Sequence, residues 1–125
     1  LVAIYNIDSL GGKSDEDVRA GKKTNATLYT EPEGERFADL MATVNNHYRL
    51  GLDQQKVLRG SPGDDDGSFI NAGFPMAVAN IGTIPYGDPN YHLETDTPDL
   101  VDIENVVLAT RASLAAALWV DQGRA

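Results

Sequence analysis

A chain of 125 residues has the size of one compact domain, and with 42% hydrophobic and 23% charged residues its composition is that of a globular protein and excludes a disordered one. Nineteen acidic residues against 10 basic ones leave a net charge of −9, which repels phosphate backbones and anionic bilayers and so argues against nucleic-acid and membrane partners. Cysteine is absent, so disulfides and thiolate ligands are excluded and any metal must be held by nitrogen and oxygen donors.

Residues 1–7 (LVAIYNI) are almost continuously apolar and β-favouring, the pattern of a strand covered on both faces, and the run ends at Asp8. The run is too short, and lacks the basic leader, for a signal core; residue 1 is not Met, and the reading expects further sequence before it. Gly11-Gly12 breaks the chain, and residues 13–23 read as a charged surface excursion. Residues 25–30 (NATLYT) form a second strand, and the Asn25-Ala26-Thr27 sequon inside it is too short a pattern to carry weight. After Pro32 and Gly34, the spacing of Phe37, Leu40, Met41, Val44 and Tyr48 predicts a helix with one buried face, stopped near Gly51, with His47 on its solvated side.

A short strand at residues 56–58 precedes residues 60–67, the most turn-like stretch of the chain. A short helix at 68–72, the Gly73-Phe74-Pro75 turn and a buried strand at 76–81 follow. A long loop carrying Pro85, Pro89 and Pro98 leads to Asp102, the N-cap of a helix running to about Asp121 and closed by Gly123. Val106, Val107, Leu108, Leu114, Leu118 and Trp119 make that helix apolar on most sides, which predicts substantial burial, yet no apolar run approaches the roughly 20 residues of a membrane span. Strands alternating with helices give an α/β unit, a single domain over residues 1–125 with no repeat or internal linker.

Two residues stand where hydrolytic chemistry is placed in α/β sheets: Asp8 at the carboxyl end of the first strand, and His92 in the polar loop YHLETDTPD. Asp96, four residues after His92, could accept the ring proton that faces away from a metal and fix the tautomer. The Asp64-Asp65-Asp66-Gly67 run has a calcium-loop look, but with Gly67 as the turn glycine the first and last ligand positions fall on Pro62 and Gly73, so the register fails.

In order, Asn6-Ile7-Asp8, Asp65-Asp66-Gly67-Ser68-Phe69 with Ala72-Gly73-Phe74-Pro75, Tyr91-His92 with Thr95-Asp96-Thr97, and the alanine-rich last helix resemble segments of metallopeptidase family twenty-eight. That family holds the zinc aminopeptidases, glutamate carboxypeptidase, glutaminyl cyclase and the catalytically silent transferrin receptor. Many members carry Ser-Asp-His where this chain has Asp64-Asp65-Asp66. The resemblance implies a three-layer α/β/α unit with a mixed sheet, of which this chain is the C-terminal portion. It further implies an exopeptidase acting on peptide amino termini with two zinc ions, Asp8 serving one ion and His92 the other, Asp96 behind His92, and a secreted or periplasmic setting. The remaining ligands and the general-base Glu would lie upstream, so the chain alone should be inactive and should associate through its first strand, with the missing portion or with itself. A non-catalytic interaction domain and a cyclase are the alternative readings. Asp8 and His92 should then converge in one open polar cleft.

Overall fold

The computed structural model describes residues 2–124, as four strands and four α-helices. In chain order these are β1 (Ile4–Ile7), α1 (Asp15–Arg19), β2 (Thr24–Tyr29), α2 (Pro32–His47), β3 (Asp53–Leu58), α3 (Asp66–Asn71), β4 (Ala77–Ile81) and α4 (Ile103–Asp121), with a 3-10 turn at Pro98–Leu100. The sheet order is β1-β4-β2-β3; β1 is parallel to β4 and β2 to β3, while β2 and β4 are antiparallel. The mixed sheet with packed helices is the α/β class expected.

Side-chain alternation divides the sheet. On one face the α2 residues Leu40, Met41 and Val44 meet Ala112, Ala116 and Trp119 of α4, with Tyr5 of β1 against them. Phe37, Met41 and Val44 are at most 1% exposed, so the expected stripe is core from Phe37 to Val44, each side chain stabilising by about 1.5–3 kcal/mol, whereas Tyr48, expected on the same face, lies past the helix end and is exposed. The other face gathers Ala26 and Leu28 of β2 with Ala79 and Ile81 of β4, flanked by Val57 and by Ile84 of the following loop. α3 rests against β4 and β1.

Three expectations are corrected. β1 is an edge strand paired only with β4; Val2 and Ile7 are 61% and 51% exposed, and Leu1 lies outside the described residues. The strand therefore lacks the double cover its composition suggested: Ile4, Tyr5 and Asn6 are only partly buried and Ile7 is exposed. Residues 13–23 are no mere excursion: Ser14 Oγ caps α1 by accepting the Asp17 N–H at 3.1 Å, and Lys13 is buried. Helix α4 turns its small residues inward, Asn105, Ala109, Ala112, Ser113 and Ala116 with Trp119, and leaves Leu114 and Leu118 59% and 48% exposed. Small side chains let the helix approach α2 and β2 closely, and its length and composition alone would be enough to cross a membrane.

The inward face of α4 is also polar. Asn80 Nδ2 donates to Ser113 Oγ at 3.0 Å while its Oδ1 accepts from Thr27 Oγ1 at 2.6 Å, a fully enclosed link between α4, β4 and β2. Asn105, with no exposed surface, donates through Nδ2 to Leu10 O at 2.6 Å and Thr24 O at 2.8 Å and accepts the Thr24 N–H at 2.7 Å. One helical turn earlier Asp102 accepts the Asn105 N–H at 3.1 Å, Lys13 Nζ at 2.9 Å and Lys23 Nζ at 3.0 Å. The Lys13 ammonium, wholly enclosed, also donates to Lys22 O.

Burial pushes the Asp102 carboxyl up, but hydrogen bonds from Lys13, the Asn105 N–H and Lys23 outweigh it and hold the group at about 2. A folded value below the unfolded one means that stability is present above the unfolded value and is lost as pH falls through the folded one. Asp102 should thus contribute about 2 kcal/mol above pH ~4, fading toward pH ~2, and urea midpoints followed across that interval should show the loss in the wild type and its absence in Asp102→Asn. Asn105→Ala, which strands three buried backbone groups, should cost about 3 kcal/mol in the same measurement; a cost below about 1 kcal/mol would contradict the bridging role.

Candidate functional site

Asp8 follows β1 directly, and its N–H donates to Asn80 O at 3.0 Å, so the β1–β4 pairing fixes its backbone. Ser9 Oγ donates to Asp8 Oδ1 at 2.8 Å. Ser9 then adopts a left-handed backbone (φ 51°), turning the chain beneath β4, where Gly82 N–H donates to Ser9 O at 3.2 Å. The turn opens a cavity of about 330 Å³ whose lining includes Asp8, Asp88 and Asp96 together with Leu10, Leu100 and Val101. Carboxylates and aliphatic side chains share the lining, a combination that suits a cationic group attached to an aliphatic one.

The cavity depends on glycine at position 12. A Cβ there would collide with Tyr86 Oη and lie 2.7 Å from the ring Cζ and 2.9 Å from Asp88 Oδ2. Glycine thus admits the Tyr86 hydroxyl into the cavity wall, which Ser9 shares. Burial first, then the charges of Asp88 and Asp96, push the phenol up against the opposing effect of Ser9, so the ring stays neutral at physiological pH.

His92 stands in the same loop as Tyr86 but does not line the cavity. It is exposed, left-handed at φ 60°, and stacked on Tyr91 with centroids 3.9 Å apart; Tyr91 meets Tyr86 edge-on at 4.8 Å. Tyr91 thus links His92 to Tyr86 in the wall of the cavity. Asp96 shares that wall with Asp8, and among the hydrogen bonds of the described residues none joins Asp96 to His92. Among the described residues three non-glycine positions have positive φ, and two of them are Ser9, in the cavity lining, and His92, in the loop that carries Tyr86.

Among the described residues no three His, Asp or Glu side chains are grouped so as to hold a metal ion. A catalytic zinc ion takes about three protein ligands, so the residues of this chain do not by themselves fit one.

The acid-rich turn at 64–66 is not part of this cavity. Arg59 Nη2 donates to Asp66 Oδ2 at 2.6 Å and Nη1 to Asp64 Oδ2 at 2.9 Å, with Asp66 fully enclosed. Arg59 follows β3, which runs opposite to β1, so this ionic clasp sits at the far end of the sheet. Sequence reading missed Tyr86 and Asp88; the signal was available in Gly11-Gly12, whose side-chain-free surface implies a close neighbour.

Comparison with protein-family models and with curated proteins finds no match. A solved structure, the LapA aminopeptidase of Legionella pneumophila, superposes with a TM-score of 0.76 at 20% identity over 96% of this chain. The fold is aminopeptidase-like. The chain spans 31% of the length of that structure, so the likeness concerns one part of a larger enzyme.

Replacing Gly12 by Ala should evict Tyr86 and loosen residues 82–96. Amide hydrogen exchange there should quicken at least about tenfold, with α2 unchanged; unaltered exchange at Tyr86 and Asp88 would show that the tyrosine is not wedged against Gly12.

Proposed function

We propose that this chain is the C-terminal part of an aminopeptidase-type hydrolase, and that the Asp8 cavity forms one side of its catalytic centre. The observation that carries the proposal is the aminopeptidase-like fold over 96% of the chain, with Asp8 at a strand's carboxyl end opening on a cavity walled by carboxylates and aliphatic side chains. Such a cavity suits the amino-terminal residue of a peptide, its ammonium toward Asp88 and Asp96 and its side chain toward Leu100 and Val101.

In this reading the enzyme is a zinc exopeptidase of metallopeptidase family twenty-eight, secreted or periplasmic, with Asp8 and His92 each giving one ligand to a centre completed by residues outside these 125. The part played by the chain's own residues is binding and positioning: Ser9 orients the Asp8 carboxylate and Tyr86 closes the wall beside it. A second reading, a peptidase-like interaction domain without catalysis, draws on the lack of any three-donor group among the described residues.

The two readings separate in an assay with amino-acid anilides and added zinc. The 125-residue chain alone should give no turnover. The longer protein should be active, and Asp8→Asn or His92→Ala should lower its kcat/KM by at least about 100-fold, the scale expected when a metal ligand is lost. No activity in the longer wild type would leave the interaction domain standing instead, and full activity in both variants would overturn the assignment of Asp8 and His92 as ligands.

A further inference from the structure

Helix α4 carries a second surface that the Asp8 cavity does not use. Ile103, Val107, Leu114 and Leu118 are 62%, 41%, 59% and 48% exposed. Their separations of 4, 7 and 4 residues place them in one line along the helix, opposite the buried line of Asn105, Ala109, Ala112 and Ala116. Arg111 is the charged side chain midway along that line, with Glu104 and Asp121 at its two ends. Beside Leu114 and Leu118 the surface sinks into a groove of about 450 Å³ with Leu50, Tyr48 and Trp119 along it and Arg111 and Arg124 at its sides.

Trp119 gives this groove a fixed floor. Its Nε1–H donates to Tyr48 Oη at 2.9 Å, the Arg124 guanidinium lies 3.9 Å above its ring, and His47 packs edge-on at 5.1 Å. No carboxylate lines the groove. In a chain with a net charge of −9, two arginines on an apolar groove are a local reversal of sign, and the complement of such a surface is acidic and apolar at once.

We propose that the outward face of α4 docks an amphipathic α-helix that carries a carboxylate near its middle turn. A line of apolar residues about 22 Å long, at 1.5 Å per residue, matches about four turns of a partner helix, and Arg111 sets its register by pairing with the partner's acid. A second copy of this chain fits less well: in an antiparallel pair Ile103 would face Leu118 and Val107 would face Leu114, which brings the two Arg111 side chains together within an apolar seam. The inference is independent of the peptidase reading.

The probe is a fluorescein-labelled helical peptide with Leu at the matching spacing and Glu at its centre, compared with the same peptide carrying Lys there. Fluorescence anisotropy with the 125-residue chain should show the Glu peptide bound at least about tenfold more tightly than the Lys peptide. Leu114→Ser with Leu118→Ser should weaken it by about tenfold or more, and Arg111→Glu should reverse the preference in favour of the Lys peptide. Reversal is a gain of binding, which unfolding cannot imitate. Equal affinity for the two peptides, or no saturable binding of either, overturns the proposal. So does a wild-type dimer in sedimentation that Leu114→Ser with Leu118→Ser converts to monomer, which would make a second copy the occupant, or uptake by phosphatidylcholine vesicles, which would make it a bilayer.

Discussion

The side chain of Asn105 is the tie on which the arrangement rests. Three backbone groups from two other segments, at Leu10 and Thr24, end on one amide that has no contact with water. Such groups are costly to leave unpaired, so α4 can start only where the head of β2 and the turn after Asp8 already meet. Asp102 and Lys13 add an ionic layer one turn outside the amide, and Asp102 N–H fixes Gly11 by donating to its carbonyl oxygen at 3.0 Å. The shape of the Asp8 cavity is therefore set from behind, by residues that never face it.

Much of this was legible in the sequence. The stripe from Phe37 to Val44 gave α2 because a 3.6-residue period survives without tertiary context, and Asp102 and Gly123 bracket α4 because capping is local chemistry. Illegible was which side of α4 faces inward. Composition counts Leu114 and Leu118 as core residues, whereas packing against α2 selects Ala112 and Ala116, whose small size permits contact. Nor could the sequence place Lys13 inside, since burying an ammonium depends on Asp102, 89 residues away.

The site divides in the same manner. A strand ending in Asp marks Asp8 from local pattern alone, and the structure sets it in a cavity. Asp96 enters the wall of that cavity by a path no spacing rule describes, through a loop held by stacked rings at Tyr86, Tyr91 and His92. The most acidic stretch of the sequence, by contrast, is spent on a clasp for Arg59, because opposed strand directions carry it to the other end of the sheet.

The β1–β4 pairing has a bearing on the order of assembly. Residues Ile4 to Ile7 meet partners 73 positions further along, from Ala77 to Asn80, whereas β2 and β3 are joined through the single intervening helix α2. Closing the longer loop costs more chain entropy, and a parallel edge strand of four residues returns few bonds for it. The half of the sheet built by β2, α2 and β3 can condense first, with β1 added last and released first. The strand that presents Asp8 is then a weakly held part of the fold, whose local opening would dismantle the cavity while leaving most of the core in place.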